Sequence, residues 1–314
     1  MLLRSVAVDF YSLFLAVAPV GIGGPLISAG LPKFVANWFK GKERAIASGI
    51  YMTGAVAGGV FVIALSYSTL VPFFGSWRVA LFSYGVVTAG VALAWAVVGR
   101  DREPHSHRLH GPQRLDVLVR EYLALAAQRD VQLVVLVAFA AFLASHGFQS
   151  WLPYMLEVRG LEPSSAGYLG SLPSISGIAG SLAVLWFVGL YPTVRHKLTA
   201  ALLLGSAAST AAFPLASGST LLLVVLLQGF LCMAITPLIL NTLMEIPEVG
   251  ARNMGRGSGL LFTAGEMGGA LGPAMLGQFA DVRNDFSAGL MTVAAILVMA
   301  AIPALALELR SKRR

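Results

Sequence analysis

The residue best placed for chemistry is Glu266. It stands about ten residues inside an apolar run at 256–280, whereas the other fourteen of the 15 acidic residues fall in loops or at the ends of apolar runs. At about 1.5 Å of rise per residue, that depth is the middle of a bilayer. A charge there costs about 2.5–3.5 kcal/mol on insertion scales, so such a group usually faces a cavity and acts in it. No lysine or arginine lies in the interior of an apolar run to pair with it; Arg78, Lys197 and Arg256 stand only at run ends. Protonation, a cationic solute or a partner on another helix would each resolve the charge. A protonated carboxyl bonded within a packed bundle would resolve it equally well, with no further role.

A second group lies in the run 131–155, which carries His146, Gln149, Trp151 and Tyr154. Gln149 and Trp151 precede Pro153, where backbone carbonyls released by the proline are tolerated if they face a cavity. His146 is of the type that changes charge near neutral pH, although a lone histidine also serves as a neutral hydrogen-bonded group. Trp151 and Tyr154 suit an interfacial aromatic belt. Gln228 lies within another apolar run, while Asn241 and Tyr51 sit nearer run ends and suit helix-bridging hydrogen bonds as well as solute contact. His105, His107 and His110 cluster in a short polar segment that offers no fourth ligand in a fixed frame, so a disordered linker is expected and no metal site. Ser258 lies in GRGSG, but Arg256 stands where a GxS membrane protease needs glycine. No phosphate loop, paired carboxylates or metal ladder appears, so neither an enzyme, a cofactor nor ATP-driven work is expected.

The elements that must position these residues are membrane helices. The chain is 57% hydrophobic and only 12% charged, about half the charge fraction of a soluble protein. Nine apolar runs are long enough to cross a bilayer, near 11–32, 46–70, 76–99, 131–155, 165–190, 197–216, 218–243, 256–280 and 286–308. The start resembles a signal peptide, but Asp9 interrupts it, no A-x-A-like site closes it, and the apolar run continues to Pro32. The single Cys232 excludes an internal disulfide. One long polar interval, 100–130, divides three runs from six, and its later part, 115–129, has the spacing of an amphipathic helix lying on the inner membrane face.

The net charge of +7 raises the question of nucleic acid, and placement answers it. Eighteen of the 22 lysines and arginines fall on one side of the alternating loops, leaving Arg4, Arg78, Arg159 and Arg283 on the other. That asymmetry is a topology signal, placing the 33–44 turn, the central loop and the C-terminus in the cytoplasm of a cell with a plasma or inner membrane.

Small residues recur with a long period. SGIYMTGAVAGG at 48–59 aligns with SGLLFTAGEMGG at 258–269, and GPLIS at 24–28 with TPLIL at 236–240. Gly21, Gly24, Gly54, Gly58, Gly59, Gly268 and Gly269 are expected to let helix backbones approach closely. The GIGGP helix, the WFKGKERAIASGI turn, GSWR at 75–78 and WLPYMLEVRGLEPSSAGYLGSLPSISGIAGSL at 151–182 together resemble the major facilitator superfamily of transporters. They also resemble its branch of cyanate porters and related small-anion carriers.

The resemblance implies an all-α membrane protein, a major-facilitator-type helical bundle with three helices of a first half and six of a second. Its segments would be a partial N-terminal bundle at 1–99, a cytoplasmic central loop at 100–130 and a C-terminal six-helix bundle at 131–314. In the repeat frame the first three helices of such a protein would precede residue 1, so a truncated chain is expected. The basic residue that the family carries before the first glycine of its fourth helix would be Val17, and Ala55 stands where its antiporter motif has proline, which weakens a drug–proton antiport reading. In the gating-loop motif Arg195 and Lys197 are present, but Leu190 replaces an acid. The function implied is secondary transport of a small solute, a small organic or inorganic anion, by alternating access. The alternatives are proton-coupled efflux of drug-like compounds and a transport-inactive fragment. The expected partners are the lipid bilayer, a small-molecule solute and a coupling proton or ion, with no nucleic acid. Glu266, Gln149, His146, Gln228, Tyr51 and Asn241 are the candidate solute- or ion-binding residues.

Overall fold

Lipid offers a backbone no hydrogen-bond partner, so each apolar run must close its own ladder as a helix. The computed structural model describes residues 1–39, 57–99, 115–283 and 286–311, with positions 43, 47 and 54 between the first two stretches. Among the described residues every regular element is a helix. In chain order they are α1 (Leu2–Ser5), α2 (Phe10–Trp38), α3 (Ala57–Phe74), α4 (Trp77–Val98), α5 (Leu115–Ala126), α6 (Arg129–Val158), α7 (Pro163–Leu190), α8 (Arg195–Ala212), α9 (Gly218–Met244), α10 (Gly250–Arg283) and α11 (Ser287–Ser311). Seven described helices are long and apolar enough to cross a membrane: α3, α4, α6, α7, α8 with its terminal turn, α9 and α11. Of the other two expected runs, α2 supplies a shorter apolar stretch at Phe10–Gly24, and α10 is 34 residues long but rich in glycine and interrupted by Glu266. The chain divides into two compact units, Met1–Pro112 and Gln113–Arg314.

In the first unit, Asp9 is the N-cap of α2. Its carboxylate accepts from the Ser12 backbone N–H at 2.7 Å, and the Ser12 hydroxyl accepts from the Asp9 N–H at 3.0 Å. This reciprocal capping box satisfies donors that the first turn leaves orphaned. The Ser12 hydrogen bonds also hold the Asp9 carboxyl below its usual range, so the cap is complete at neutral pH and is lost as pH falls through that lowered value. The GSWR segment makes the corner between α3 and α4. Gly75 takes the left-handed conformation (φ 63°), Ser76 caps α4 through the Arg78 N–H at 3.2 Å, and the Arg78 guanidinium donates to the Ala7 carbonyl at 3.0 Å.

The second unit is built on two glycine seams. α6 runs parallel to α10: a Cβ at Gly268 would overlap the Phe139 carbonyl, and one at Gly272 would overlap the Leu143 carbonyl and lie 3.1 Å from the Gly147 nitrogen. α7 meets α9 in the same way, with Gly229 against the Pro173 carbonyl and Gly180 against the Phe230 carbonyl. Without a hydrophobic drive between helices in lipid, such backbone contact supplies dispersion that bulky side chains would prevent. α8 and α11 pack together and α8 also meets α9, which completes the six-helix unit. α5 lies at its end, with Leu125 buried, Tyr122 at the Gly259 backbone and Glu121 paired with Arg256 at 2.5 Å.

The expected packing glycines fall into two groups. A Cβ at Gly21, Gly24, Gly54, Gly58 or Gly59 meets nothing within 4 Å among the described residues. Their small size is therefore not required by any described close approach, unlike that of Gly268 and Gly269. Substitution separates the two groups. Gly272→Ala and Gly268→Ala are each expected to destabilise the detergent-solubilised protein by about 1–3 kcal/mol through overpacking, while Gly21→Ala leaves the thermal midpoint unchanged. A tryptophan-fluorescence melt of each variant measures this.

Candidate functional site

Along α6, His146, Ser150 and Tyr154 recur every fourth residue and all are exposed, so they form one line on an otherwise largely buried helix. His146 Nδ1 lies 3.1 Å from the Phe142 carbonyl, and its ring packs on Gly269 of α10, where a Cβ would sit 2.9 Å from Nδ1. Phe142, one turn before it, meets Phe262 of α10 edge to face at 6.2 Å. Glu266 follows Phe262 by four residues and precedes Gly269 by three, so it stands on the same flank of α10, between two residues that touch α6. It too is exposed, with no hydrogen bond or ion pair among the described residues. His146 and Glu266 are thus exposed residues on two helices in backbone contact along the α6–α10 seam.

Gln149 joins α6 to α7. Its amide Nε2 donates to the Ser145 hydroxyl at 2.9 Å, and its Oε1 accepts from the Ser174 hydroxyl at 3.2 Å. A primary amide has four hydrogen-bonding positions, so two remain for a solute. Trp151 closes the seam further along, donating its indole N–H to the Pro273 carbonyl at 2.8 Å. Tyr154 is 45% exposed and contacts Trp151 at 5.9 Å between ring centroids.

The remaining candidates lie elsewhere. Gln228 is 2% exposed in the α8–α9 interface, where its Oε1 accepts from Ser209 at 2.8 Å. Asn241 sits at the end of α9 and accepts from Arg195 at 2.8 Å, in a charged cluster where Arg195 also pairs with Glu245 at 2.5 Å. Lys197–Glu308 at 3.6 Å, Arg310–Asp130 and Arg256–Glu121 join that end of the bundle. Tyr51 and the three clustered histidines lie outside the described residues. Among those described, no three metal-ligating side chains converge. Ser145, Ser174, Phe142 and Phe262 were missed in the sequence. The four-residue spacing of Ser145 and Gln149 on one helix face was a usable signal; the α10 and α7 partners, over 20 residues away, gave none.

Of the candidates, the structure leaves His146 exposed on α6 and Glu266 exposed on α10, and joins Gln149 to Ser145 of α6 and Ser174 of α7. Residues 1–273 match the model of the Major Facilitator Superfamily. The hexuronate transporter of Bacillus subtilis (strain 168) is 24% identical over 313 residues, covering 95% of this chain and 73% of that protein. A putative tartrate transporter of Agrobacterium vitis is 26% identical over 328 residues, covering 96% and 72%. Among solved structures, a bacterial homologue of the human lysosomal transporter Spinster, inward-facing and unoccupied, superposes with TM-score 0.74 at 18% identity over 98% of this chain and 79% of that one. The E. coli fucose:proton symporter FucP gives 0.61 at 18% over 95% and 77%. The chain belongs to the Major Facilitator Superfamily. It is a multi-pass membrane protein of a family that transports small solutes and is not an enzyme.

Gln228 provides the contrast for the groove. Gln228→Met removes an amide whose Nε2 has no hydrogen-bond partner among the described residues, while the Ser209 hydroxyl keeps the Ser206 carbonyl at 3.0 Å. The expected change in stability is within about 1 kcal/mol, with solute uptake unchanged. A raised KM in vesicle uptake would return Gln228 to the pathway.

Proposed function

We propose that the protein moves a small hydroxylated organic acid by alternating access, with the α6–α10 groove as the second unit's wall of the solute path and a proton as the coupling ion. The observation that carries this reading is the exposure of His146 and Glu266 on two helices in backbone contact, with Gln149 hydrogen-bonded to the hydroxyls of Ser145 and Ser174 nearby on α6 and α7. The amide and hydroxyls suit solute hydroxyl groups, each polar group being both donor and acceptor or carrying both functions. Histidine is the side chain whose charge changes near neutral pH, so a protonated His146 supplies the positive charge a carboxylate needs inside the membrane. Glu266 is costly as an isolated anion, and taking up a proton removes that cost. Protonation before solute entry and release after it would couple the two movements, with both units rocking about the site.

The relatives support the choice of cargo. The hexuronate and tartrate named for them are hydroxylated carboxylates, and this narrows the small anion suggested by the cyanate-porter resemblance to an organic acid. The basic end of the second unit, with Arg195, Arg256 and Arg310, is assigned to the cytoplasm by the charge asymmetry. Gln228 and Asn241 are assigned to holding helices together.

Uptake into proteoliposomes tests this. With the outside acidic, D-glucuronate or L-tartrate is expected to accumulate above equilibrium. Glu266→Gln is expected to abolish the dependence on the pH gradient, and Gln149→Ala to raise KM about tenfold, the factor that 1.4 kcal/mol produces. Accumulation of lipophilic cations with none of either acid would replace the reading by drug efflux. No movement of any solute under any gradient would indicate a transport-inactive chain.

A further inference from the structure

A backbone carbonyl accepts a hydrogen bond and cannot donate one. His146 Nδ1 lies 3.1 Å from the Phe142 carbonyl, one turn earlier on α6, so Nδ1 is the ring nitrogen that carries the hydrogen. The other nitrogen, Nε2, has no hydrogen bond among the described residues, and the side chain is exposed. In the neutral ring Nε2 therefore holds the free lone pair, and a proton taken up by the ring must arrive there.

The neighbours of the ring impose this tautomer. The Phe142 ring lies against the imidazole at 5.5 Å between centroids. Phe142 is itself seated on Gly265 of α10, where a Cβ would come within 3.1 Å of its ring. One turn further along α10, a Cβ at Gly269 would stand 2.9 Å from His146 Nδ1, 3.2 Å from Cγ and 3.3 Å from Cε1. Any side chain at 269 would thus displace the imidazole at the nitrogen that makes the bond. The clash differs in kind from that at Gly268, which is with the Phe139 backbone carbonyl; at Gly269 only a side chain has to yield. Charge near this level of the seam is sparse. Of the other helices packed on α6, α7 and α9 carry no charged side chain, α11 has Glu308 and Arg310 in its last turn, and α5 lies at the end of the unit. Charges on α6 fall in its end turns, and on α10 Glu266 is the one between the end turns, three residues before Gly269.

We propose that Gly269 is a positioning residue for His146. By leaving room for the ring it keeps Nδ1–H on the Phe142 carbonyl and reserves Nε2 for the solute. One proton from water adds to the Nε2 lone pair and gives an imidazolium with N–H at both nitrogens. The Nδ1–H stays with Phe142, and the new Nε2–H donates to the carboxylate of an organic acid. Return of that proton to water restores the lone pair and releases the anion. This rests on reading His146 as the cationic group of the solute path, and the test lets the two fail separately.

The full chain labelled with [15N]histidine, in phosphatidylcholine vesicles, is examined by solid-state NMR at alkaline pH, with His146→Gln identifying the His146 signals. The expected pattern is a protonated, pyrrole-type Nδ1 and an unprotonated, pyridine-type Nε2. Gly269→Ala is expected to abolish that pattern while the protein still melts cooperatively. It should also raise KM for D-glucuronate about tenfold, the scale of one hydrogen bond to a charged group. In the parent at neutral pH, D-glucuronate should convert Nε2 to its protonated form and leave Nδ1 as it was, and D-glucose should not. An Nε2–H tautomer or a mixture in the parent overturns the proposal, and so does an unaltered pattern in Gly269→Ala. If Gly269→Ala fails to fold, the parent decides: a solute that leaves Nε2 unprotonated overturns the proposal. An altered pattern with KM unchanged in Gly269→Ala also overturns it. In that case uptake impaired by His146→Gln leaves His146 standing as the cationic group, and uptake unimpaired by it removes that reading too.

Discussion

The constraint on which the second unit depends is the contact of backbone with backbone along α6 and α10. Gly268 and Gly272 bring the two helices so close that the carbonyls of Phe139 and Leu143 occupy the space a methyl group would need. In lipid this is how helices attract: dispersion between closely fitted surfaces replaces the hydrophobic effect that water would provide. The contact also fixes what stands on either side of it. Gly269 receives the His146 ring, Gly265 receives Phe142, and Gly277 receives Trp151. A glycine seam therefore positions the side chains that flank it through the backbone rather than through their own rotamer choices. Glu266 is carried onto the same flank because it lies between Phe262 and Gly269.

Charge is distributed by the same economy. At the basic end of the second unit, arginine and lysine side chains meet carboxylates or an amide: Arg195 with Glu245 and Asn241, Lys197 with Glu308, Arg256 with Glu121, Arg310 with Asp130. Partner removal there would leave a half-buried charge, with a cost larger than any surface pair carries. The amphipathic α5 is held to that end by Glu121. Glu266 differs from all of these. It is exposed and has no hydrogen bond or ion pair among the described residues.

The helices were legible because lipid enforces a simple rule, that an apolar run of about 20 residues becomes a helix. Helix ends were legible where a specific residue caused them, as Asp9, Gly75 and Ser76 did. Glu266 was legible from depth alone. Pairing was not. Trp151 and Pro273 are 122 residues apart, Arg159 and Phe213 are 54 apart, and Arg195 and Asn241 are 46 apart. Nothing local records such contacts. Gln228 shows the same limit from the other side: a polar residue in an apolar run reads alike whether it faces a solute path or, as here, a neighbouring helix. In physical terms, the sequence reports depth in the membrane well, since every residue feels it, and reports rotation about the helix axis poorly, since lipid, neighbour and cavity faces are all apolar.

The central claim is that the Glu266 carboxyl faces water in a solute path rather than lipid or a packed interior. Modification of the unsubstituted protein in vesicles by two carbodiimides, one soluble in water and one soluble in lipid, tests this, with the labelled peptide identified by mass spectrometry. The account predicts that the water-soluble reagent modifies Glu266 and that D-glucuronate slows the reaction. Modification by the lipid-soluble reagent alone, at a rate no solute changes, would contradict it.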